Sequence, residues 1–243
     1  MGQDVAPGAT SELTLDTTTL TLSMTSTPVT ARFRGLDADG FPLLPEPDAD
    51  TVEVAADALR TALARVAFAA SEDANRYVLT AVLAQFEGQT LTLAATDGFR
   101  LSEAQVPLAM PVTTPFTVLV PAPVLAALQR MLVPEGQVTL TVTDLRDRIA
   151  VRFGATTLVS QAVEGSYPNY RGVLPTSTAS SATVARPALL HACQRARIFA
   201  RDVGGLVRLH LAAEGLTVAA DSAGGEQSRT TLPVLEHHGT VLD

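Results

Sequence analysis

Three stretches of this chain carry the same pattern, and that repetition limits the fold more than any other feature. They are V-E-V-A-A-D-A-L-R-T-A-L-A-R-V-A-F-A from Val52, V-L-V-P-A-P-V-L-A-A-L-Q-R-M-L from Val118, and A-T-V-A-R-P-A-L-L-H-A-C-Q-R-A-R-I-F from Ala182. Each is a short strand ending in Val, followed at once by apolar residues three and four apart, the period of an amphipathic helix. The strand-ending residues Val54, Val120 and Val184 lie 66 and 64 residues apart, the mark of a repeated supersecondary unit. Leu91-Thr92-Leu93, Val138-Thr139-Leu140-Thr141-Val142 and Leu216-Thr217-Val218 then alternate with period two. They follow turns at Glu87-Gly88, Glu135-Gly136 and Glu214-Gly215. The unit is strand, helix, then a meander of strands. The fold class expected is α+β, with helices on one face of antiparallel sheets.

A longer period overlies the first. Asp39-Gly40-Phe41-Pro42 resembles Gly165-Ser166-Tyr167-Pro168, and the Thr-rich strands before each correspond. Two units therefore make one domain. The expected division is residues 1–46 as the second half of a domain, 47–175 as a whole one, and 182–243 as a first half. Pro45-Glu46-Pro47-Asp48 and Thr176–Ser181 read as linkers, and the first ten residues as poorly ordered.

Composition narrows the class. The 243 residues are 47% apolar and 17% charged, which suits a packed core rather than a disordered chain. The net charge is −8, and all 17 basic residues are Arg, so contact with a polyanion would rest on local Arg clusters. Cys193 stands alone and fits a reducing compartment. The most apolar run, 116–133, is broken by Pro121, Pro123, Gln129 and Arg130 and does not span a membrane. The expected location is the cytoplasm.

No catalytic motif is present: no G-x-x-x-x-G-K-[ST], no G-x-S-x-G and no H-E-x-x-H. His237-His238 reads as a surface pair rather than a metal site. Asp73, Asp97 and Asp221 sit where turns favour Asp. Asp144, Arg146, Asp147 and Arg148 read as an exposed hairpin tip. No metal, cofactor or catalytic residue is expected.

Three motifs together carry a family resemblance. V-A-F-A-A-S-E-D-A-N-R-Y-V-L-T-A-V-L from Val66, A-T-D-G-F-R-L from Ala95, and E-G-S-Y-P-N-Y-R-G-V-L-P from Glu164 resemble the bacterial DNA polymerase III β subunit, the sliding clamp, in the family's order and spacing. The match runs from the end of the family's first domain, through the second, into the third, as in a clamp truncated at both ends. It implies a ring of three-domain subunits, joined head to tail as a dimer, with helices lining the hole. Such a ring encircles double-stranded DNA without reading its sequence. It has no catalytic activity and tethers the DNA polymerase III catalytic subunit, the clamp loader and other replication and repair proteins. An alternative is a clamp-fold peptide-binding adaptor, or a fragment, that does not encircle DNA.

The resemblance also assigns residues. The family's pocket for short extended peptides maps to Leu79, Thr96, Gly98, Arg100, Leu101, Pro168 and Val173. Leu79, Leu101 and Val173 would form apolar walls, Gly98 would let a ligand approach the backbone, and Arg100 would offer hydrogen bonds to peptide carbonyls. The family often has His where this chain has Phe99, and a basic residue where it has Gly172. The DNA-contact candidates are Arg60, Arg65, Arg76, Arg130, Arg195 and Arg197. The subunit-interface candidates are Ile198 and Phe199 on one side, and Arg32 and Phe33 on the other.

Overall fold

The computed structural model describes residues 10–26, 28–40 and 50–239. Phe41-Pro42, the Pro45–Asp48 linker and most of the N-terminal stretch expected to lack order lie outside the described residues. The chain forms two compact units, Met1–Pro168 and Asn169–Asp243.

The first unit opens with an antiparallel sheet of β1 (Glu12–Asp16), β2 (Thr21–Ser26) and β3 (Val29–Arg34), in that order. Two repeats follow. The first is β4 (Asp50–Ala55), α1 (Ala56–Val66), β5 (Ala81–Glu87), β6 (Thr90–Thr96) and β7 (Leu101–Pro107). The second is β8 (Phe116–Pro121), α2 (Ala122–Met131), β9 (Gln137–Val142), β10 (Arg148–Phe153) and β11 (Thr156–Gln161). Strand and helix adjoin without an intervening loop in both.

The repeats are interlocked. Their sheets run β7-β6-β5-β8 and β11-β10-β9-β4, so each repeat's first strand completes the other repeat's meander. Val54 lies opposite Val138, and Val82 opposite Val120. The unit of folding is thus the pair of repeats.

Local chemistry sets the elements. α1 buries Ala56, Leu59, Ala62, Leu63 and Val66, the inward stripe of a 3.6-residue period. α2 starts with Pro at its first turn, where a missing amide costs nothing. One core joins Leu59, Leu63 and Val66 of α1, Leu125 and Leu128 of α2, Phe86, Leu91 and Leu93 of one sheet, and Leu140, Ile149 and Val151 of the other. Phe86 stacks on Phe116 with centroids 4.5 Å apart.

Glu135-Gly136 leads directly into β9, and the hairpins of that repeat turn at 143–147, between β9 and β10, and at Gly154, between β10 and β11. Two local readings differ from the structure. The stretch around Arg146 is not simply an exposed tip. Arg146 adopts φ +58°, its Nη2 lies 2.5 Å from Asp50, and its guanidinium sits 4.0 Å from the Phe116 ring centroid. Ser180 and Ser181, read as linker, already belong to a strand.

The sheet β1-β2-β3 repeats β9-β10-β11 in register. The pairs Leu15–Leu22, Leu13–Met24 and Leu22–Phe33 match Val142–Ile149, Leu140–Val151 and Ile149–Ser160, every residue 127 positions on. Leu140 and Val142 are buried, whereas Leu13 and Leu15 are 63% and 57% exposed.

The second unit contains β12 (Ser180–Val184), α3 (Arg186–Ala200), β13 (Arg208–Ala212), β14 (Gly215–Asp221), β15 (Gln227–Leu232) and β16 (Val234–Gly239). It repeats the same unit again, with sheets β13-β14-β15 and β12-β16. α3 turns Ala192, Ala196 and Ala200 onto Val218, Ala220 and Leu232. Residues four apart share one helix face, and alanines there let the helix approach the sheet closely.

Candidate functional site

The A-T-D-G-F-R-L motif forms the end of the β6–β7 hairpin. Thr96 pairs with Leu101, leaving Asp97–Arg100 as a four-residue connection rather than a two-residue turn. Its own side chains hold it. The Asp97 carboxylate accepts from the Phe99 amide at 2.9 Å and the Arg100 amide at 3.0 Å, and its other oxygen accepts from Arg100 Nε at 3.0 Å. Thr96 Oγ1 donates to the Arg100 carbonyl at 2.7 Å and accepts from the Gly98 amide at 3.1 Å. The Arg100 and Phe99 amides, with the Arg100 charge, lower the Asp97 carboxyl below its ordinary value.

A second segment braces the hairpin. Residues Ala74–Thr80 form a 3-10 stretch capped by Asp73, whose carboxylate accepts from the Asn75 amide at 3.0 Å. That bond, then the Asn75 side chain, lowers the Asp73 carboxyl. The stretch kinks at Arg76 (φ −108°, ψ 52°). There Arg76 Nη1 donates to the Asp97 carbonyl at 2.8 Å, and Arg76 Nε lies 3.4 Å from Asp73. Leu79 follows, half-buried, its carbonyl accepting from the Ser71 amide at 2.9 Å.

The third segment is Gly165–Pro168. Tyr167 Oη accepts from the Thr96 amide at 3.0 Å. Gly165 has φ +128°, and a Cβ there would lie 3.0 Å from Val78 and 3.4 Å from the Tyr77 hydroxyl. Leu79, Thr96, Gly98, Arg100, Leu101 and Pro168 therefore stand on three segments stitched to one another. Val173 is in the second unit, 76% exposed at the end of the 3-10 turn Tyr170–Val173.

Gly98 has φ +92°, and a Cβ there would lie 3.1 Å from Arg76 Nη1, so the guanidinium lies against that face of its bare Cα. Arg76, a DNA-contact candidate, is engaged with this hairpin. Arg100 also lies over the Phe68 ring, 5.5 Å from its centroid. Phe68 lines a groove of about 620 Å³ with Leu63, Ala67, Thr80, Pro123 and Gln129. Sequence reasoning does not single out Asp97, Tyr167 or Phe68 for the site. Tyr167 and Phe68 lie within the quoted motifs, but only the fold brings them to the hairpin.

The remaining candidates occupy separate surfaces. Arg60 and Arg65 are exposed on α1, and Arg130 on the neighbouring α2. Arg195 and Arg197 are exposed on α3. Ile198 is 72% exposed, whereas Phe199 packs on the α3 core. Arg32 and Phe33 are exposed on β3. Among the described residues, no cluster of three or more His, Cys, Asp or Glu could hold a metal, and no helix is long and apolar enough to cross a membrane.

Residues 53–169 match the family model for the central domain of the DNA polymerase III β subunit. The chain is 34% identical to the β sliding clamp of Synechocystis sp., over 81% of this chain and 55% of that relative. It is 30% identical to that of Synechococcus elongatus, over 84% and 56%. The chain thus spans about half the length of the curated relatives it matches. Among solved structures, the β subunit of DNA polymerase III from Pseudomonas aeruginosa superposes with a TM-score of 0.82 at 25% identity, covering 98% of this chain and 65% of that one. The Bacillus subtilis sliding clamp shares the fold at 23% identity and a TM-score of 0.82, covering 96% and 61%.

Proposed function

This chain belongs to the bacterial DNA polymerase III β subunit family, the β sliding clamps, and from that premise we propose that it serves as a DNA-encircling processivity factor. It acts in the cytoplasm, without catalysis, by holding replication proteins on duplex DNA. The observation that carries this reading is the interlocked pair of repeats with its adjacent helices, shared with clamp structures along nearly the whole chain. The domain division is 1–46, 47–175 and 182–243, supported by the register match of β1-β2-β3 with β9-β10-β11.

Partners dock through a short extended peptide at Leu79, Thr96, Gly98, Arg100, Leu101 and Pro168 of the first unit; the family resemblance adds Val173, which the second unit carries. Burying one Leu or Phe anchor contributes about 1.5–3 kcal/mol, enough for partners that exchange. Arg60, Arg65, Arg130, Arg195 and Arg197 face the phosphates, whose contacts position the ring without reading sequence. Ile198 and Phe199 meet Arg32 and Phe33 of a neighbouring subunit.

The decisive experiment is loading onto nicked circular plasmid, followed by linearisation. A clamp stays on the circle and slides off the linear form. Peptide binding without topological retention would instead identify a clamp-fold adaptor.

A further inference from the structure

We propose that Arg76 and Tyr167 are positioning residues that set the shape of the 96–101 hairpin from outside it, so that the peptide rim is ready-formed before a partner arrives. The proposal rests on reading that hairpin as a peptide rim.

Its basis is how the hairpin's main chain is anchored. The connection Asp97–Arg100 carries side-chain bonds of its own, but these fix only its internal geometry. Hydrogen bonds on Thr96 and Asp97 tie the hairpin backbone to other segments. Arg76 reaches the Asp97 carbonyl from the 3-10 stretch, 21 residues upstream. Tyr167 reaches the Thr96 amide from 71 residues downstream. They fall on adjacent residues, one on a carbonyl and one on an amide, at the point where β6 ends.

Arg76 is itself held for this task. Its backbone leaves helical geometry within the 3-10 stretch, and Asp73 both caps that stretch and lies beside the Arg76 Nε. The same guanidinium nitrogen lies against the bare face of Gly98. One cation thus binds the turn's carbonyl and occupies the space a side chain would fill. Tyr167 is placed by the residues before it, because Gly165 packs on Tyr77 and Val78 of the same 3-10 stretch. The hairpin, the 3-10 stretch and the Tyr167 segment therefore close a three-way brace. A rim ordered in advance binds more tightly because less ordering entropy is lost on association.

The test uses the full chain with Arg76→Gln, Arg76→Lys and Tyr167→Phe. Two readouts are taken: amide hydrogen exchange in the free protein, and affinity for a fluorescein-labelled synthetic octapeptide bearing Leu and Phe anchors. Arg76→Gln is expected to speed exchange at Phe99 and Arg100 and to weaken peptide binding roughly tenfold, the scale of one net hydrogen bond. Arg76→Lys, which keeps a cation able to donate, restores most of both. Tyr167→Phe speeds exchange at Thr96. Core amides of β5 and β6 keep wild-type protection in every variant.

Unchanged hairpin exchange in both Arg76→Gln and Tyr167→Phe overturns the proposal, and so does a loss of protection spread through β5 and β6. If wild type fails to bind the peptide while Arg76→Gln still loosens the hairpin, the brace stands and the peptide reading falls.

Discussion

Arg76 Nη1 lies 2.8 Å from the Asp97 carbonyl and 3.1 Å from where a Cβ on Gly98 would stand. The hairpin turn and the 3-10 stretch are therefore fitted to one another at a glycine. Gly98→Ala meets two penalties: a φ of +92° that L-residues rarely adopt, and a guanidinium in the way. Strain of this kind costs about 1–3 kcal/mol, concentrated in the turn. The expected outcome is faster amide exchange at Phe99 and Arg100 with little change in the global melting temperature.

The same turn is sensitive to acid. Its amide donors and Arg100 lower the Asp97 carboxyl, and the Asn75 amide and side chain lower Asp73. A depressed folded pKa adds stability above the unfolded value, about 3.9 for Asp. That contribution is lost as pH falls through the folded value. Hairpin amide protection should hold from neutrality down to about pH 4 and fall below it; Asp97→Asn should remove that acid-dependent step. Exchange measured from pH 7 to pH 3, corrected for intrinsic rates, reads it directly.

The interlocked repeats should unfold together. Leu63 of α1 is 1% exposed in a core that both sheets share. Leu63→Ala should destabilise the first unit by about 2–5 kcal/mol, the range for a buried leucine. Because β4 completes the second meander and β8 the first, protection should fall in β9 and β10 as much as in β5 and β6. Hydrogen exchange in low denaturant would show loss confined to one repeat if the sheets were independent.

Charge on the helices should govern DNA affinity. Replacing Arg60, Arg65 and Arg130 by Gln removes three exposed cations from α1 and α2. For every phosphate left without its cation, the slope of log affinity against log salt should flatten by about 0.9. Fluorescence anisotropy with two unrelated duplexes should show equal losses on both. An unchanged slope would sink the assigned DNA role.

Exposed leucines on β1 should drive association. Leu13 and Leu15 are open to solvent, and among the described residues β1 pairs only with β2. A free strand edge with apolar side chains is a template for pairing with another chain. Leu13→Lys with Leu15→Lys should lower light scattering at high protein concentration. The melting of the first unit should be unaffected.

The sequence alone determined the strand-helix-meander unit, its recurrence and the family. Those features are written in local periodicity: Leu59, Leu63 and Val66 recur at helical spacing, and Leu91-Thr92-Leu93 alternates. Interlocking was not legible, because nothing local tells Val54 to pair with Val138 of the other repeat rather than with its own meander. That choice is made by a core shared between two sheets. The residues proposed for the pocket were suggested only by the resemblance, since A-T-D-G-F-R-L reads locally as a turn. Tertiary structure decided what fixes that turn. Arg76, Gly98 and Tyr167 lie up to 91 residues apart, and only chain reversal brings a guanidinium and a phenol onto adjacent backbone groups of one hairpin.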